Sequence, residues 1–505
     1  MVKGCQAFTE GPDYVSSRSD RPNILLLISD NQRLDTLGVL GQTACRTPTW
    51  DRIAAEGVLL EQLRTTSPIC SPARASLMTG MQPHQAGMPT VAFAYAEKND
   101  GSGGDQSVEI NIPPISHFLR QEGYHTAYTG KWHLGETSIR QSFDLASACD
   151  QAERDYTEWC RFQGVPDGFV FHDPERSKPF RSRHEPGMSL PTTAILDIPE
   201  DKEHNRWILG HALEQFALRQ TNAPYFACLS LEGPHPPLMV PERYYNMYDP
   251  QLIEPPTNWG PADGEPDFLD GCYYRKLRNE FGNDFDSWRK SIAVYWGYAT
   301  YIDSLFEQLI ARWEEVGLLD NTLLVMVSDH GDMLGQHELS QKMCPYEEAV
   351  RVPCVLRWPG VIPQGTRCQL DVSHTDIAAT LLAAAGMDVD SMQLEGENLL
   401  PYLQGKQQPP NSRDCFVQYN MSPFQAEWQG VENWRVLVRR PWKYVLHENN
   451  AVELYHLVDD PGEMKNLSGN SGIVDTETEL RNGLLAWARR TTDPFVVRLQ
   501  QTHES

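Results

Sequence analysis

Apolar runs alternate with helical patterns along most of this chain. Four runs are continuously apolar, which is typical of strands buried on both faces of a parallel sheet. They lie at Asn23–Ser29, 125–129, 225–231 and Thr322–Ser328. Helical patterns lie between them, at 49–56, 115–122, 206–219 and 291–316. The alternation predicts an α/β fold with a large, mostly parallel central sheet flanked by helices.

The polar, proline-rich stretch at 404–413 indicates a domain boundary. Strand-like segments follow at Trp434–Arg439 and 443–447, and a helical pattern follows at 477–490. These predict a smaller C-terminal α+β subdomain with a short antiparallel sheet. The predicted organisation is a polar leader at 1–20, a catalytic domain at 21–405 and the subdomain at 412–505. Two irregular stretches, 136–200 and 249–286, are interpreted either as binding loops or lids or as surface decoration.

Polar side chains follow each of the four predicted strands. Asp30 and Asn31 follow the first, and Asp329 and His330 follow the last. Because ligands bind at the carboxyl ends of strands in open α/β sheets, these four residues are candidate ligands of a divalent cation. Alone, each acid would be interpreted as a helix cap or a salt-bridge partner. The other two strands lead into the remaining candidates at this edge, Lys131, His133 and His235.

The segment that begins at Cys70 places a thiol just before a predicted helix. Ser71 is suited to cap that helix, and Pro72 is suited to its first turn. A helix N-terminus attracts anions, so a nucleophile there would meet an anionic substrate. The alternative is that Cys70 is a small buried hydrophobic residue, as a lone cysteine usually is.

Composition excludes some classes of function. The chain has 505 residues, of which 40% are hydrophobic, and a formal net charge of -25. This acidity argues against general binding to nucleic acid or to anionic membranes. The 11 cysteines show no C-x-x-C pair, which favours a reducing compartment with mostly structural thiols. Residues 1–20 contain no apolar stretch, so cytoplasm is the expectation, or the periplasm or exterior if a leader was removed.

Several longer motifs occur in a fixed order between about residues 20 and 470. They are PNILLLISDNQRLDTLG at 22–38, CSPARASLMTG at 70–80, GYHTAYTGKWHLG at 123–135, PHPP at 234–237, SDHGDMLGQH at 328–337 with Lys342, and ELYHLVDDPGEMKNL at 453–467. In these motifs the chain resembles the type I, formylglycine-dependent sulfatases of the alkaline phosphatase superfamily. The C-x-P-x-R segment and GKWHLG are the most specific of the matches.

The resemblance implies a covalent mechanism at residue 70. A separate maturation enzyme would oxidise Cys70 to formylglycine, which hydrates to a gem-diol. One diol oxygen would attack sulfur and release the alcohol, and re-formation of the carbonyl would then expel sulfate. Asp30, Asn31, Asp329 and His330 would bind the metal together with residue 70. Further roles implied by position are holding the hydrate (Arg74), gripping sulfate (Lys131 and Lys342), taking the diol proton (His133) and assisting the leaving oxygen or binding sulfate (His235).

Two positions depart from the common sulfatase pattern, which often has Asp at position 31 and Asn at position 330. Calcium is the first expectation for the metal, but the nitrogen of His330 makes manganese or magnesium alternatives. The Asp-His pair at 329 and 330 also occurs in related phosphonate monoester hydrolases, which typically lack the Lys131 and His133 pair. We therefore expect a sulfate ester as substrate, with a phosphonate monoester or phosphodiester as the alternative.

A third hypothesis is a non-catalytic binding protein in which Cys70 stays a thiol. The substrate of an active enzyme could be an aryl, alkyl or sugar sulfate, and the oligomeric state is not predictable from the sequence. Tyr156, Trp159 and Trp207 could line a sugar or aryl site, although core packing is the preferred interpretation. Four other histidines are interpreted as structural, namely His84, His125, His204 and His211.

Overall fold

The computed structural model of this protein describes residues 21–91, 109–149, 152–165, 171–172, 174, 193–266, 284–410, 412–421 and 432–501. The predicted leader at 1–20 and parts of both irregular stretches lie outside the described residues. The strands are β1 (Asn23–Ser29), β2 (Val58–Leu60), β3 (Leu63–Arg64), β4 (His125–Gly130), β5 (Leu145–Ser147), β6 (Phe171–His172), β7 (Thr193–Leu196), β8 (Tyr225–Ser230), β9 (Leu238–Val240), β10 (Thr322–Ser328), β11 (Cys354–Arg357), β12 (Thr366–Cys368), β13 (Val372–Ser373), β14 (Cys415–Tyr419), β15 (Trp434–Arg439), β16 (Trp442–His447) and β17 (Val452–His456).

The helices surround these strands in sequence and in space. They are α1 (Pro48–Glu56), α2 (Cys70–Thr79), α3 (Ile115–Gln121), α4 (Glu136–Ser142), α5 (Ala152–Phe162), α6 (His204–Ala217), α7 (Glu242–Tyr245), α8 (Phe285–Glu315), α9 (Glu347–Val350), α10 (His374–Ala384), α11 (Leu400–Leu403), α12 (Val474–Arg490) and α13 (Phe495–Gln501). No helix in this part of the chain is both long and apolar enough to cross a membrane.

A mixed, mostly parallel sheet of eight strands forms the centre, in the order β12-β2-β11-β10-β1-β8-β4-β5. The four strands predicted from apolar runs are neighbours in this sheet, in the order β10-β1-β8-β4, and β1 and β10 have the predicted bounds. β1 lies between β10 and β8 and runs parallel to both. The antiparallel members are the pairings of β11 with β10 and with β2. The predicted α/β fold class is therefore confirmed.

Each face of β1 contributes to a different core. Leu25 and Leu27 point into one cluster, which includes residues of α1, α6 and α8. Ile24, Leu26 and Ile28 point into a second cluster on the opposite face, with residues of α2, α3 and α10. All five side chains are fully buried. This burial on both faces explains why the sequence of β1 is continuously apolar rather than alternating.

The longest helix begins earlier than its pattern predicts. The prediction starts at residue 291, whereas α8 begins at Phe285 after the N-cap Asp284, whose side chain accepts a hydrogen bond from the Ser287 amide. The stretch 136–200, interpreted as irregular, contains the helices α4 and α5 among its described residues.

The C-terminal part contains the predicted antiparallel sheet, with the order β14-β15-β16-β17. One face of this sheet packs on α12, where Leu437 and Tyr444 share a cluster with Leu480 and Trp487. Its other face packs on the larger part of the molecule, in a cluster that includes Ile69, the residue before Cys70. The small sheet therefore supports the segment that carries the candidate nucleophile.

Candidate active site

The first turn of α2 presents the Cys70 side chain at the edge of the central sheet. Ile69 is extended, with φ -143° and ψ 140°, and α2 begins at Cys70 itself. The prediction that Ser71 caps the helix is wrong, because α2 begins at Cys70 and its N-cap is Ile69, whose side chain makes no capping hydrogen bond. Pro72 lies in the first turn, as predicted. Cys70 is 5% exposed, so its sulfur lies in an almost closed site.

The parallel register of β1 and β10 brings the two candidate carboxylates together. Ser29 pairs with Ser328, so the residues that follow them, Asp30 and Asp329, leave the sheet side by side. Both carboxylates are fully buried. The Asp329 amide also donates a hydrogen bond to the Ser29 carbonyl oxygen of β1 at 3.2 Å.

Four donor atoms converge at this edge. The Cys70 Sγ lies 3.2 Å from His330 Nε2 and 3.9 Å from Asp30 Oδ1. His330 Nε2 lies 3.7 Å from Asp30 Oδ1 and 3.7 Å from Asp329 Oδ1. One ligand atom from each of these four residues lies within 4.8 Å of the other three. The structure thus brings together the side chains that the sequence placed on distant segments.

Asn31 supplies a fifth candidate donor. Its side-chain Nδ2 donates a hydrogen bond to Asp332 Oδ2 at 2.8 Å, and its backbone amide donates to Asp329 Oδ1 at 3.0 Å. Its Oδ1 atom is buried and has no hydrogen-bond partner. Two carboxylates, an imidazole, residue 70 and an orphaned amide oxygen make a donor set that fits a divalent cation. The oxygen majority suits calcium, and the imidazole nitrogen suits manganese.

Two lysines direct positive charge at the Cys70 sulfur. Lys342 Nζ lies 3.4 Å from Sγ, and Lys131 Nζ lies 3.6 Å from it. Lys131 also forms an ion pair with Asp30 Oδ2. Lys342 is 4% exposed. Although the chain is strongly acidic, the site itself therefore offers the local positive charge that an anionic substrate requires.

Arg74 ties the two carboxylates to the surrounding strands. Its Nε donates to Asp329 Oδ2 at 3.0 Å, and its Nη2 donates to Asp30 Oδ2 at 3.3 Å. Its Nη1 donates to the Lys131 carbonyl oxygen at 2.7 Å and to Ser230 Oγ at 2.6 Å. The guanidinium is thus a buried fork that fixes the acids. Its predicted contact with a formylglycine hydrate stays a prediction.

The two candidate proton carriers flank the cluster and are half-buried. His133 follows β4 with a φ of 60° and forms a hydrogen bond with Cys70 that helps to lower the pKa of the thiol. His235 Nδ1 lies 2.6 Å from the Pro236 carbonyl oxygen, so this nitrogen is the protonated one. The contact leaves Nε2 of His235 as the nitrogen available to a substrate.

The electrostatics of the cluster favour its ionised forms. Burial alone would raise the pKa of the Cys70 thiol, but Lys131, Lys342 and His330 outweigh it and lower that pKa well below its ordinary value. Burial and Cys70 raise the pKa of Asp30, yet Lys131, with further cationic neighbours, lowers it to about 2. Burial disfavours protonated His330, but Asp329 beside it raises the pKa of the imidazole. The carboxylates thus stabilise positive charge at the centre of the cluster.

Several residues that support the site were not predicted. Asp332 lies inside the quoted SDHGDMLGQH motif and could have been noticed there, and Ser230 is the last residue of β8. Tyr295 comes from the middle of α8, and its hydroxyl donates to the Asn31 carbonyl oxygen at 2.6 Å. His374 begins α10 and contacts the Ser328 carbonyl oxygen through Nε2 at 3.0 Å. Nothing in the sequence near these last two indicates the site.

Other candidate residues lie away from the cluster. Tyr156 and Trp207 are buried in the core with ring centroids 5.5 Å apart, and Trp159 packs against them. Core packing, the preferred interpretation, therefore holds for these aromatics. The histidines interpreted as structural have contacts of their own, with Gln418 and Thr491 (His84), the Gln220 amide (His125), Glu232 (His204) and Glu214 (His211).

Comparison with known proteins decides the family. The sulfatase family model matches residues 22–387. The chain belongs to the sulfatase family. A second model, described as the C-terminal part of N-sulphoglucosamine sulphohydrolase, matches residues 335–490. As a member of this family, the protein is an enzyme of the sulfuric ester hydrolase class.

Individual relatives show the range of the family. The arylsulfatase of Clostridium perfringens is 26% identical, over 92% of this chain and 94% of its own. A protein solved in complex with its substrate D-glucosamine-2-N,6-O-disulfate has a TM-score of 0.75 at 22% identity, covering 94% of this chain and 99% of that one. The phosphonate monoester hydrolase of Agrobacterium radiobacter has a TM-score of 0.73 at 22% identity, covering 94% and 97%. At 22% identity, the likeness of these two structures to this sulfatase shows a shared fold.

Proposed function

We propose that this sulfatase hydrolyses a sulfate monoester to an alcohol and inorganic sulfate, with residue 70 as the covalent centre beside one divalent cation. The observation that carries the proposal is the convergence at the Cys70 sulfur. Asp30, Asp329 and His330 share a cluster with it, and two lysine Nζ atoms lie within 3.4 and 3.6 Å of it. The position of the sulfur stands for the reacting group of the mature enzyme.

Each group would supply a distinct part of the chemistry. Matured to formylglycine and hydrated, residue 70 would present a hydroxyl nucleophile where the sulfur now lies. Asp30, Asn31, Asp329 and His330 would hold the cation, which would supply a Lewis acid beside that hydroxyl. Calcium is the proposed ion, with manganese or magnesium as alternatives.

The lysines would bind the transferring group. Lys131 and Lys342 approach residue 70 closely enough to contact the oxygens of a sulfate placed there, and their charges would offset the charge that develops in the transition state. Both come from outside α2, so a sulfate would sit between the helix N-terminus and these two side chains.

The histidines would move protons. His133 contacts residue 70 and is half-exposed, which suits it to take a proton from that residue and pass it to solvent. His235 would use Nε2 toward the leaving oxygen, because its Nδ1 is engaged by the Pro236 carbonyl.

Maturation is tested first, by mass spectrometry of the peptide that contains residue 70. Conversion of the cysteine to formylglycine lowers the peptide mass by about 18 Da, because the thiol is replaced by an aldehyde. We expect this loss in protein expressed with a formylglycine-generating enzyme. A peptide that keeps only the thiol, in protein from the native host, would support a non-catalytic binding protein instead.

Activity is tested by sulfate release from an aryl sulfate. We expect turnover by the matured protein and none above background from Cys70→Ala, because the covalent centre is missing. Cys354→Ala is the matched control, since Cys354 is a buried cysteine of β11 that does not belong to the cluster. Equal turnover by Cys70→Ala and the parent protein would contradict the proposal.

A phosphonate monoester is the alternative substrate. The likeness to a phosphonate monoester hydrolase and the Asp329-His330 pair favour it, whereas the contacts of Lys131 and His133 with Cys70 favour sulfate. Values of kcat/KM for sulfate and phosphonate esters with one leaving group decide between the two. We expect the sulfate ester to have the larger value.

The proposed natural substrates are aryl or sugar sulfates. One relative is named an arylsulfatase, and one structural neighbour was solved with a glucosamine disulfate. A panel of aryl sulfates and sulfated monosaccharides, assayed with the matured protein, would rank the two classes. No turnover on either class would shift the proposal to alkyl sulfates.

A further inference from the structure

We propose that Asp332 is a positioning residue, which orients the Asn31 amide so that its oxygen faces the bound cation. This inference rests on the proposed cation site. It concerns which end of a planar amide, the oxygen or the nitrogen, points at the cluster of Asp30, Cys70, Asp329 and His330. Only the oxygen end can act as a ligand for a metal ion.

The contacts of Asn31 fix that choice. Asn31 is fully buried and Asp332 is 3% exposed, so water cannot substitute freely for either group. Asn31 Nδ2 donates to Asp332 Oδ2 at 2.8 Å, and Oδ1, on the other side of the amide, has no hydrogen-bond partner. The Asn31 backbone amide donates to Asp329 Oδ1, which belongs to the metal cluster. The orphaned oxygen therefore sits on a residue that is bonded to the cluster through its backbone.

Asp332 is itself held by its surroundings. Its other carboxylate oxygen, Oδ1, accepts a hydrogen bond from the Leu334 amide at 2.8 Å. Its backbone amide donates to the Glu348 carbonyl oxygen at 3.1 Å, and its carbonyl oxygen accepts from Arg33 Nη1 at 2.8 Å. With one oxygen bound to Leu334, the carboxylate presents the other to Asn31 and cannot turn away.

The backbone at position 31 does not explain why the residue is Asn. Its φ is 67°, in the left-handed region that Asn and Asp both tolerate better than other residues with a side chain. The Tyr295 hydroxyl fixes the backbone by donating to the Asn31 carbonyl oxygen. Asn and Asp differ here in charge and in hydrogen bonding, because Asn can donate to Asp332 and an ionised Asp cannot.

The two positions therefore form a matched pair. With Asp at position 31, a carboxylate oxygen would replace Nδ2 at 2.8 Å from Asp332 Oδ2. No hydrogen would lie between the two oxygens, so they would repel each other. Asn at position 332 would keep its oxygen on the Leu334 amide and turn its NH2 toward Asn31. The Asn31 amide would then flip to accept that hydrogen bond, and its own NH2 would face the cation. Exchange of both residues, Asn31→Asp with Asp332→Asn, restores one donor and one acceptor.

Calcium binding tests this pairing without any substrate. Four proteins are compared by titration of calcium chloride into chelator-treated samples, namely the parent, Asn31→Asp, Asp332→Asn and the double exchange. We expect each single substitution to weaken calcium binding on the order of 10- to 100-fold, as loss of residues that orient metal ligands typically does. We expect the double exchange to recover most of that loss, which is the signature of direct coupling between the two sites.

A second readout covers variants with reduced stability. The rise in melting temperature on calcium addition reports binding to the folded state alone. Asp303→Asn is the matched control, because Asp303 is about as buried as Asp332 but does not belong to the metal cluster. Its carboxylate accepts hydrogen bonds from the backbone amides of Thr49 and Trp50. We expect calcium affinity in this control to equal that of the parent.

The outcomes separate this inference from the proposed function. Unchanged calcium affinity in both single variants would overturn the role of Asp332, and so would a double exchange that binds no better than the singles. A parent protein that binds neither calcium nor manganese would overturn it together with the cation site. Recovery of binding by the double exchange in a protein without sulfatase activity would support the pairing while contradicting only the proposed reaction.

Discussion

At the scale of single residues, Lys342 is the clearest test of how the site treats an anion. Its Nζ lies 3.4 Å from the Cys70 sulfur and its side chain is almost fully enclosed. We expect Lys342→Met to lower kcat for a sulfate ester by about 100- to 1000-fold, because a charge aimed at the transition state in a water-poor site is lost. Steady-state kinetics of matured protein measure this effect.

The control for this prediction is Lys406→Met, which removes an exposed lysine from a turn. We expect its kcat and KM to match those of the parent. A Lys342→Met variant that raised KM while kcat stayed unchanged would mean that this lysine binds substrate and transition state equally, and the assigned role would be wrong.

The sequence was sufficient to predict which residue types gather, but not how they are held. Asp30, Asp329 and His330 were predictable because they lie within two residues of the end of a continuously apolar strand. The orientation of Asn31 depends on Asp332, and the backbone of Asn31 depends on Tyr295 from α8. Such contacts join residues more than 250 positions apart in sequence, and no local pattern encodes them.

At the scale of elements, the turn after β10 depends on a close backbone approach at Gly331. A Cβ atom there would lie 1.9 Å from the Glu348 carbonyl oxygen, and the Gly331 amide donates to the Ala349 carbonyl oxygen. We expect Gly331→Ala to destabilise the protein by about 1 to 3 kcal/mol, because the backbone must move to relieve the overlap. Thermal or urea unfolding measures the loss.

Gly210→Ala is the matched control for that substitution. Gly210 lies inside α6, and an added Cβ would meet nothing within 4 Å. Since Ala favours a helix interior over Gly by up to about 1 kcal/mol, this variant should be as stable as the parent or more so. Equal stability of Gly331→Ala and the parent would show that the turn can move at little cost.

The contact between α1 and α8 should make stability depend on pH. Burial raises the pKa of Asp303 in α8 to about 7, although hydrogen bonds from Thr49 and Trp50 at the start of α1 oppose the rise. Because the folded pKa exceeds the unfolded one, the folded state binds the proton more tightly, and stability falls as pH rises through about 7. The expected loss from this group between about pH 5.5 and 8 is on the order of 2 kcal/mol.

Unfolding of the parent and of Asp303→Asn at several pH values checks this prediction. The substitution removes the titrating group, so we expect the difference in stability between the two proteins to change with pH across that window. A difference that stays constant from pH 5.5 to 8 would contradict the raised pKa.

At the scale of the whole molecule, a buried ion network joins the C-terminal sheet to the larger part of the protein. Lys443 in β16 is fully buried and pairs with Glu463 at 2.6 Å and with Glu347 at 3.2 Å. Glu347 pairs in turn with Arg64, the last residue of β3, at 2.9 Å. The pair of Lys443 and Glu347 therefore joins the ion pairs of the two parts into one network.

We expect Lys443→Met to destabilise the protein by about 3 to 5 kcal/mol, because two buried carboxylates lose a partner while little volume is removed. Thermal unfolding, with Lys406→Met as the exposed counterpart, measures the difference. A loss no greater than that of the control would indicate that water or proton uptake replaces the missing ammonium. The network itself was not predictable, because its members come from four separate segments.

The residue-by-residue pairing of β1 with β10 has a consequence for how this enzyme can diverge. One inserted residue in either strand would shift its end by roughly 3.3 Å and turn every following side chain to the opposite face. Asp30 and Asp329 would then no longer meet, unless a β-bulge absorbed the inserted residue. Connecting loops can therefore change in length as substrates change during evolution. The lengths of β1 and β10 are constrained, because they set the positions of the two carboxylates.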